Sequence, residues 1–186
     1  ELKKKISDLL MKNKIRFQGI YQSDNSKRSK KGNAYFMGFG SSKRIVIYDT
    51  LLSNHSHEEI IAVLSHELGH YKHNHVFFSM ILSIIEMGIS LFILNQFIFY
   101  KPLHTAFGME RVTVYGGLVF FGFLYSPIDS LVSILFLAFS RKNEYQADEE
   151  VEKLTGLKED FIKALKKLSQ DNYSNLTPHP LTVFFR

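Results

Sequence analysis

Apolar positions change their spacing along this chain, and each change predicts a new element. Residues 1–15 place Leu2, Ile6, Leu9, Leu10 and Ile15 on a loose helical stripe among lysines. Short runs rich in aromatic and β-branched residues follow at 16–21, 34–38 and 44–48, separated by the turn-forming SDNS and GSSK. They predict a small antiparallel sheet within residues 16–52. The basic run KRSKK at 27–31 reads as a solvated loop whose charges repel and extend it. Ser56 followed by Glu59 is a capping-box pattern, and Ile60, Ile61, Val63, Leu64 and Leu68 supply an apolar face. A helix is therefore expected over residues 56–75.

The pattern then turns almost wholly apolar. Residues 76–100 carry Glu86 as their only charge, which suits a membrane-spanning helix better than a core helix. A second apolar stretch, 112–139, is interrupted at SPID (126–129), where Pro127 removes a backbone donor and predicts a kink. The amphipathic segment 141–168 follows, and the tail turns irregular around TPHP at 177–180. The fold class expected is mainly α with a small antiparallel β-sheet and two transmembrane helices, in a single domain over residues 1–186.

Composition narrows the chemistry. With 186 residues and no cysteine, the chain has no disulfide framework, thiolate metal site or cysteine nucleophile. Any metal must be held by His, Asp or Glu. The net charge of +5 is modest and its basic residues are spread widely. No stacking motif, phosphate loop or recognition helix accompanies it, so nucleic acid is not an expected partner. Neither a repeat, a low-complexity tract nor a cleavable signal peptide is expected within these residues.

The candidate chemistry sits on the expected helix as HELGH at residues 66–70. His66 and His70 are four residues apart, so one helical face presents both imidazoles to a single point. Glu67 lies about a hundred degrees round from His66. It can flank a metal without ligating it, where its carboxylate takes a proton from water. Two neutral imidazoles and one carboxylate suit Zn2+, one ion per chain, with a fourth position open for water. A five-residue pattern also arises by chance, but an amphipathic helix is the context this one requires.

If both apolar stretches cross a membrane, the chain leaves the catalytic side near His75 and returns near Arg141. NEYQAD at 143–148 comes directly after the return, with Glu144 and Asp148 again four apart. Glu144 is expected to complete the metal site. Asp148 is expected to orient a ligand histidine or donate a proton. The competing reading is a solvated acidic face, since Glu149, Glu150 and Glu152 follow closely.

HELGHYKHNH at 66–75, NEYQAD at 143–148, NAYFMGFGSSKRIVIYDTLL at 33–52 and SPIDS at 126–130 together resemble the integral-membrane CAAX prenyl protease family. These are the gluzincins also called a-factor-converting or farnesylated-protein-converting enzymes, with the HtpX proteases as more distant relatives. The resemblance covers most of residues 16–180. It implies a zincin-type fold with zinc on His66, His70 and Glu144, and catalysis by Glu67. For Asp148 it implies a proton-donating or orienting role. It also implies that Asn33, Ala34 and Tyr35 form an edge strand that pairs with an extended peptide substrate, which would be a prenylated protein or peptide. Family members carry further membrane helices upstream and a histidine-proline segment downstream, so the chain is expected to be the C-terminal catalytic part of a longer protein.

Lys101 and Arg111 bracket the loop between the apolar stretches, whereas Lys72, Arg141 and Lys142 lie on the catalytic side, with Lys153 and Lys158 beyond. The positive-inside rule then expects a cytosolic catalytic face on an integral membrane protein. The wording of the tail inclines toward a bacterial inner membrane, with the endoplasmic reticulum as the eukaryotic counterpart. Glu86 is costly in lipid, so it is expected to face protein or a water-filled cavity. His55, His57, His73, His104 and His179 read most simply as surface residues, and His75 as the end of the catalytic helix. Alternative functions are an HtpX-like quality-control protease of membrane proteins and a membrane scaffold with structural zinc. Glu67 argues against the scaffold, because a structural site has no use for a free carboxylate.

Overall fold

The computed structural model describes residues 1–27, 29, 31–38, 43–172, 175, 179 and 182. Arg28 and Lys30 of the basic run, the turn at 40–42 and most of the tail at 177–180 lie outside them. The elements run α1 (Leu2–Lys12), β1 (Gly19–Ser23), β2 (Ala34–Met37), β3 (Arg44–Tyr48), α2 (Asp49–Asn54), α3 (His57–Lys72), α4 (His75–Phe97), α5 (Lys101–Ala106), α6 (Val114–Thr155) and α7 (Lys158–Asp171). They divide into two compact units, Glu1–His73 with the stretch from Lys142 to the end of α7, and Asn74–Arg141.

The first unit is built on α3. Ser56 Oγ accepts from the Glu59 N–H at 3.2 Å while Glu59 Oε2 accepts from the Ser56 N–H at 2.9 Å, the reciprocal cap that its sequence predicts. Ile60, Leu64 and Leu68 are buried against Ile6 and Leu10 of α1, Ile45 and Ile47 of β3, Leu51 of α2 and Ala164 of α7. Truncating one of these large side chains to alanine would cost about 2–5 kcal/mol. The core thus holds α3 from several sides, and the HELGH segment emerges from its better-packed half.

The sheet corrects the expectation of a purely antiparallel one. Its order is β1-β3-β2, with β2 antiparallel and β1 parallel to β3. The strand with the densest β-branched run, RIVIY, takes the centre. SDNS does not turn the chain straight back. Instead the Asn25 and Ser26 N–H groups both donate to Asp49 Oδ1 at 3.0 Å, which ties the end of β1 beside the end of β3. The connection from there carries the chain to the far edge before β2 begins.

Helix boundaries also differ. The helix expected over 56–75 stops at Lys72, because Asn74 adopts a left-handed conformation (φ 54°) and α4 starts afresh at His75. His75 is buried at the start of α4 rather than closing the catalytic helix. The segments 112–139 and 141–168 are not separate helices: α6 continues through Pro127 and across residues 139–143, where no glycine or proline intervenes. The break falls later, at Gly156 (φ 69°), which divides the expected 141–168 helix between α6 and α7.

The second unit holds α4, α5 and the apolar part of α6. Both long helices are apolar enough to cross a membrane, and almost none of their apolar length is buried. Phe77, Ile84, Phe92, Phe123 and Leu135 are more than half exposed, which suits lipid and not water. A Cβ on Gly117 would lie 2.2 Å from the Ile98 carbonyl oxygen, so glycine permits that close approach. The Tyr125 hydroxyl donates to Glu86 Oε1 at 3.4 Å, giving this intramembrane carboxyl a protein partner.

Two histidines expected at the surface are buried. His104 has Nδ1 3.2 Å from the Tyr100 carbonyl oxygen and Nε2 3.0 Å from that of Thr113. His55 lies beneath α3 with Nδ1 3.3 Å from Glu59 Oε2. Their partners are a backbone and a capping carboxylate, which composition does not reveal. His57 and His179 are exposed as expected, and His73 is half-buried.

Candidate metal and catalytic site

Two helices of the first unit build the site. From α3, His66 Nε2 and His70 Nε2 point to one place, 3.1 Å apart. From α6, Glu144 Oε2 comes within 3.4 Å of His66 Nε2 and 3.6 Å of His70 Nε2. Three ligand atoms in tetrahedral positions about a zinc ion would be about 3.3 Å apart, given Zn–N and Zn–O lengths near 2.0–2.1 Å. The observed triangle fits that requirement, and among the described residues it is the one His/Asp/Glu group close enough to hold a metal ion. Glu144 remains exposed, leaving one side of the triangle open.

Asp148 approaches the other end of the same imidazole. Its Oδ1 lies 2.9 Å from His66 Nδ1, off the line of the ring N–H. Burial disfavours the charged imidazole, but Asp148 first, and then Glu67 and Glu144, raise the His66 pKa above the ordinary histidine value. Glu67 is half-buried on the next position of α3. Burial pushes its pKa up, His66 opposes this, and the Glu144 charge adds to the rise. A carboxylate with raised proton affinity beside a metal triangle is a suitable proton acceptor.

What brings α6 to α3 is a glycine inside the motif. A Cβ on Gly69 would sit 2.9 Å from Ala147 Cα and 3.1 Å from its carbonyl oxygen. Ala147 is itself 0% exposed. A small residue on each helix therefore lets the backbones touch between the two histidines of α3 and the two acids of α6. Glu150 then ties the crossing: it is 3% exposed, with Lys72 Nζ donating to Oε2 at 2.7 Å and His73 Nε2 3.3 Å from Oε1. The acidic run is thus not uniformly solvated. Sequence reasoning missed Gly69 and Glu150, and the only signal was a glycine in a helix interior.

Ala34 and Tyr35 open β2, an edge of the sheet, with Asn33 directly before it, and β2 packs on α3. The Tyr48 N–H donates to the Asn33 carbonyl, so residues 33 and 48 form a hydrogen-bonded pair. In an antiparallel ladder, Ala34 and Phe36 must then turn their main-chain groups to the open edge. The Ala34 N–H is met there by its neighbour's Asn33 Oδ1 at 2.9 Å. The Tyr35 ring packs edge-on against Tyr48.

The family model for peptidase family M48 matches residues 1–183. Among curated proteins, a CAAX prenyl protease 1 homolog of Dictyostelium discoideum is 44% identical over 132 residues, covering 70% of this chain and 31% of that protein. The homolog of Arabidopsis thaliana is 37% identical over 186 residues, covering 97% of this chain and 43% of that protein. The crystal structure of S. mikatae Ste24p superposes with a TM-score of 0.87 at 32% identity, covering all of this chain and 47% of that one. The chain spans less than half the length of these relatives.

Proposed function

The chain belongs to peptidase family M48, and on that premise we propose that it is the catalytic part of a zinc-dependent membrane endopeptidase acting on C-terminally prenylated proteins or peptides. The observation that carries this is the convergence of His66, His70 and Glu144 on one point with Glu67 alongside. His66, His70 and Glu144 would hold the ion, which when bound would supply Lewis-acid activation of water and of the scissile carbonyl. Glu67 takes the proton from the attacking water and passes it to the departing amide nitrogen. Asp148 orients His66 through Nδ1, keeping Nε2 turned toward the other two ligands. The open edge of β2 pairs with the substrate main chain at Ala34 and Phe36, so affinity depends little on side-chain sequence. Relatives named CAAX prenyl protease 1 homologs support the prenylated substrate over quality control of unfolded membrane proteins. The excess of Lys and Arg around Lys72, Arg141 and Lys142 supports a cytosolic catalytic face.

Glu67→Gln in the full-length protein tests the chemistry. It keeps the side chain's shape but cannot accept a proton. Bound zinc should stay at one per chain while peptide hydrolysis falls by at least about a hundredfold. Near-normal turnover would end the assignment. A farnesylated peptide and an unfolded membrane protein, offered in parallel, decide the substrate class; preference for the latter would overturn it.

A further inference from the structure

The His66 ring is held at its edge by Asp148, but that oxygen approaches off the N–H axis and fixes the plane of the ring weakly. Its flat face meets Phe161 of α7, with ring centroids 5.3 Å apart and planes within 26°. Phe161 is 6% exposed and packs with Ala62 of α3 and Val151 of α6. Two features outside the metal triangle put it there. Gly156, at φ 69°, ends α6 and lets α7 begin two residues later. At the other end of α7, Lys167 Nζ donates to the buried Glu59 carboxylate at 2.8 Å, so α7 runs antiparallel along α3 with its position fixed at both ends.

We propose that Phe161 is a positioning residue for the metal site: its ring fixes the plane of His66 so that Nε2 stays aimed at the point shared with His70 and Glu144. The physical reasons are two. An imidazole that ligates a cation is polarised positive, and the electron-rich face of phenylalanine favours it in an offset stack. The ring also keeps water from that face, which strengthens the interaction of Nδ1 with Asp148. Phe161 acts through His66 and does not touch the metal. This rests on the reading of His66 as a ligand.

The test uses the full-length protein with zinc affinity measured by chelator competition, thermal unfolding of the metal-free protein, and the absorption spectrum of the cobalt-substituted protein. Phe161→Leu keeps apolar volume but loses the flat face, whereas Phe161→Tyr keeps it. The leucine variant should bind zinc about tenfold more weakly and show an altered cobalt spectrum. The tyrosine variant should bind within about twofold of the parent, with the parent's spectrum. Unchanged affinity in Phe161→Leu, or equal losses in both variants that track metal-free stability, would overturn the proposal. If the leucine variant does not fold, Phe161→Met carries the same comparison. His66→Ala separates the two readings. Full zinc retention there removes the metal site itself, while zinc loss there with normal binding in Phe161→Leu removes only the role of Phe161.

Discussion

Substituting Gly69 by alanine should uncouple metal binding from folding. The added Cβ would stand 2.9 Å from Ala147 Cα, against an ordinary carbon–carbon separation of about 3.5–4.0 Å. Because the obstacle is backbone, no side chain can swing away, and α6 must retreat locally by about 0.6–1 Å. Glu144 lies one turn before Ala147 on the same face and would move with it. Its oxygen, now 3.4 and 3.6 Å from the two imidazole nitrogens, would then stand about 4 Å or more from them. Metal–ligand distances tolerate only about 0.2 Å of error, so the carboxylate ligand would be largely lost. The metal-free fold should survive the change. Overpacking costs about 1–3 kcal/mol, and replacing glycine inside a helix returns about 0.5–1 kcal/mol. The expected result is a zinc affinity lower by about tenfold or more in a metal-free protein that still unfolds cooperatively and loses at most about 2.5 kcal/mol. Chelator competition and thermal unfolding with and without zinc measure both. Parental zinc affinity in Gly69→Ala would refute the claim that this contact sets the distance between α3 and α6.

Glu144→Ala should lower zinc content and hydrolysis together, in contrast to Glu67→Gln; retained zinc in the alanine variant would show that the carboxylate is not a ligand. Ala34→Pro removes an N–H that faces the open edge, so the β2–β3 ladder should survive and zinc should stay bound while KM for a peptide rises; an unchanged KM would place substrate elsewhere. The Asp49 carboxyl is held down to about 2 by the Ser26 hydroxyl and then, against burial, by the backbone N–H groups of Asn25, Ser26 and Thr50. Its folded pKa is depressed, so the stability it contributes is present above the ordinary carboxylate range and disappears as pH falls from about 4 toward 2. Acid titration of Asp49→Asn beside the parent checks this: the variant should lose that part of the pH dependence.

Much of the fold was legible where a local rule has a single outcome. Ser56 and Glu59 cap α3 as their spacing requires, and the two apolar stretches are long helices. Sheet order was not legible, because the residues that decide it are far apart in the chain. SDNS has the composition of a tight turn, yet Asp49 captures its N–H groups and converts it into the start of a longer crossing. A turn-forming sequence specifies that the chain bends, not which strand it meets next. The continuity of α6 was hidden for a related reason. A fall in hydrophobicity after residue 139 marks a change of surroundings, not an end to backbone hydrogen bonding.

The site divides along a different line. Metal and proton chemistry restrict residue type so strongly that spacing offers His66, Glu67, His70 and Glu144 as candidates, and the structure brings the three candidate ligands together. The residues that hold them carry no such restriction. Gly69 contributes only the absence of a side chain, and Phe161 a flat surface that other core positions also need. Glu150 sits in an acidic run whose neighbours Glu149 and Glu152 are exposed. Its burial follows from its place three residues after Ala147, on the flank of the face that Gly69 meets. Given the contact between Gly69 and Ala147, the partner of Glu150 must come from the end of α3, and Lys72 and His73 are the residues there. The order of inference therefore runs from the helix contact to the charge, so a scan for charged pairs in the sequence could not have reached it.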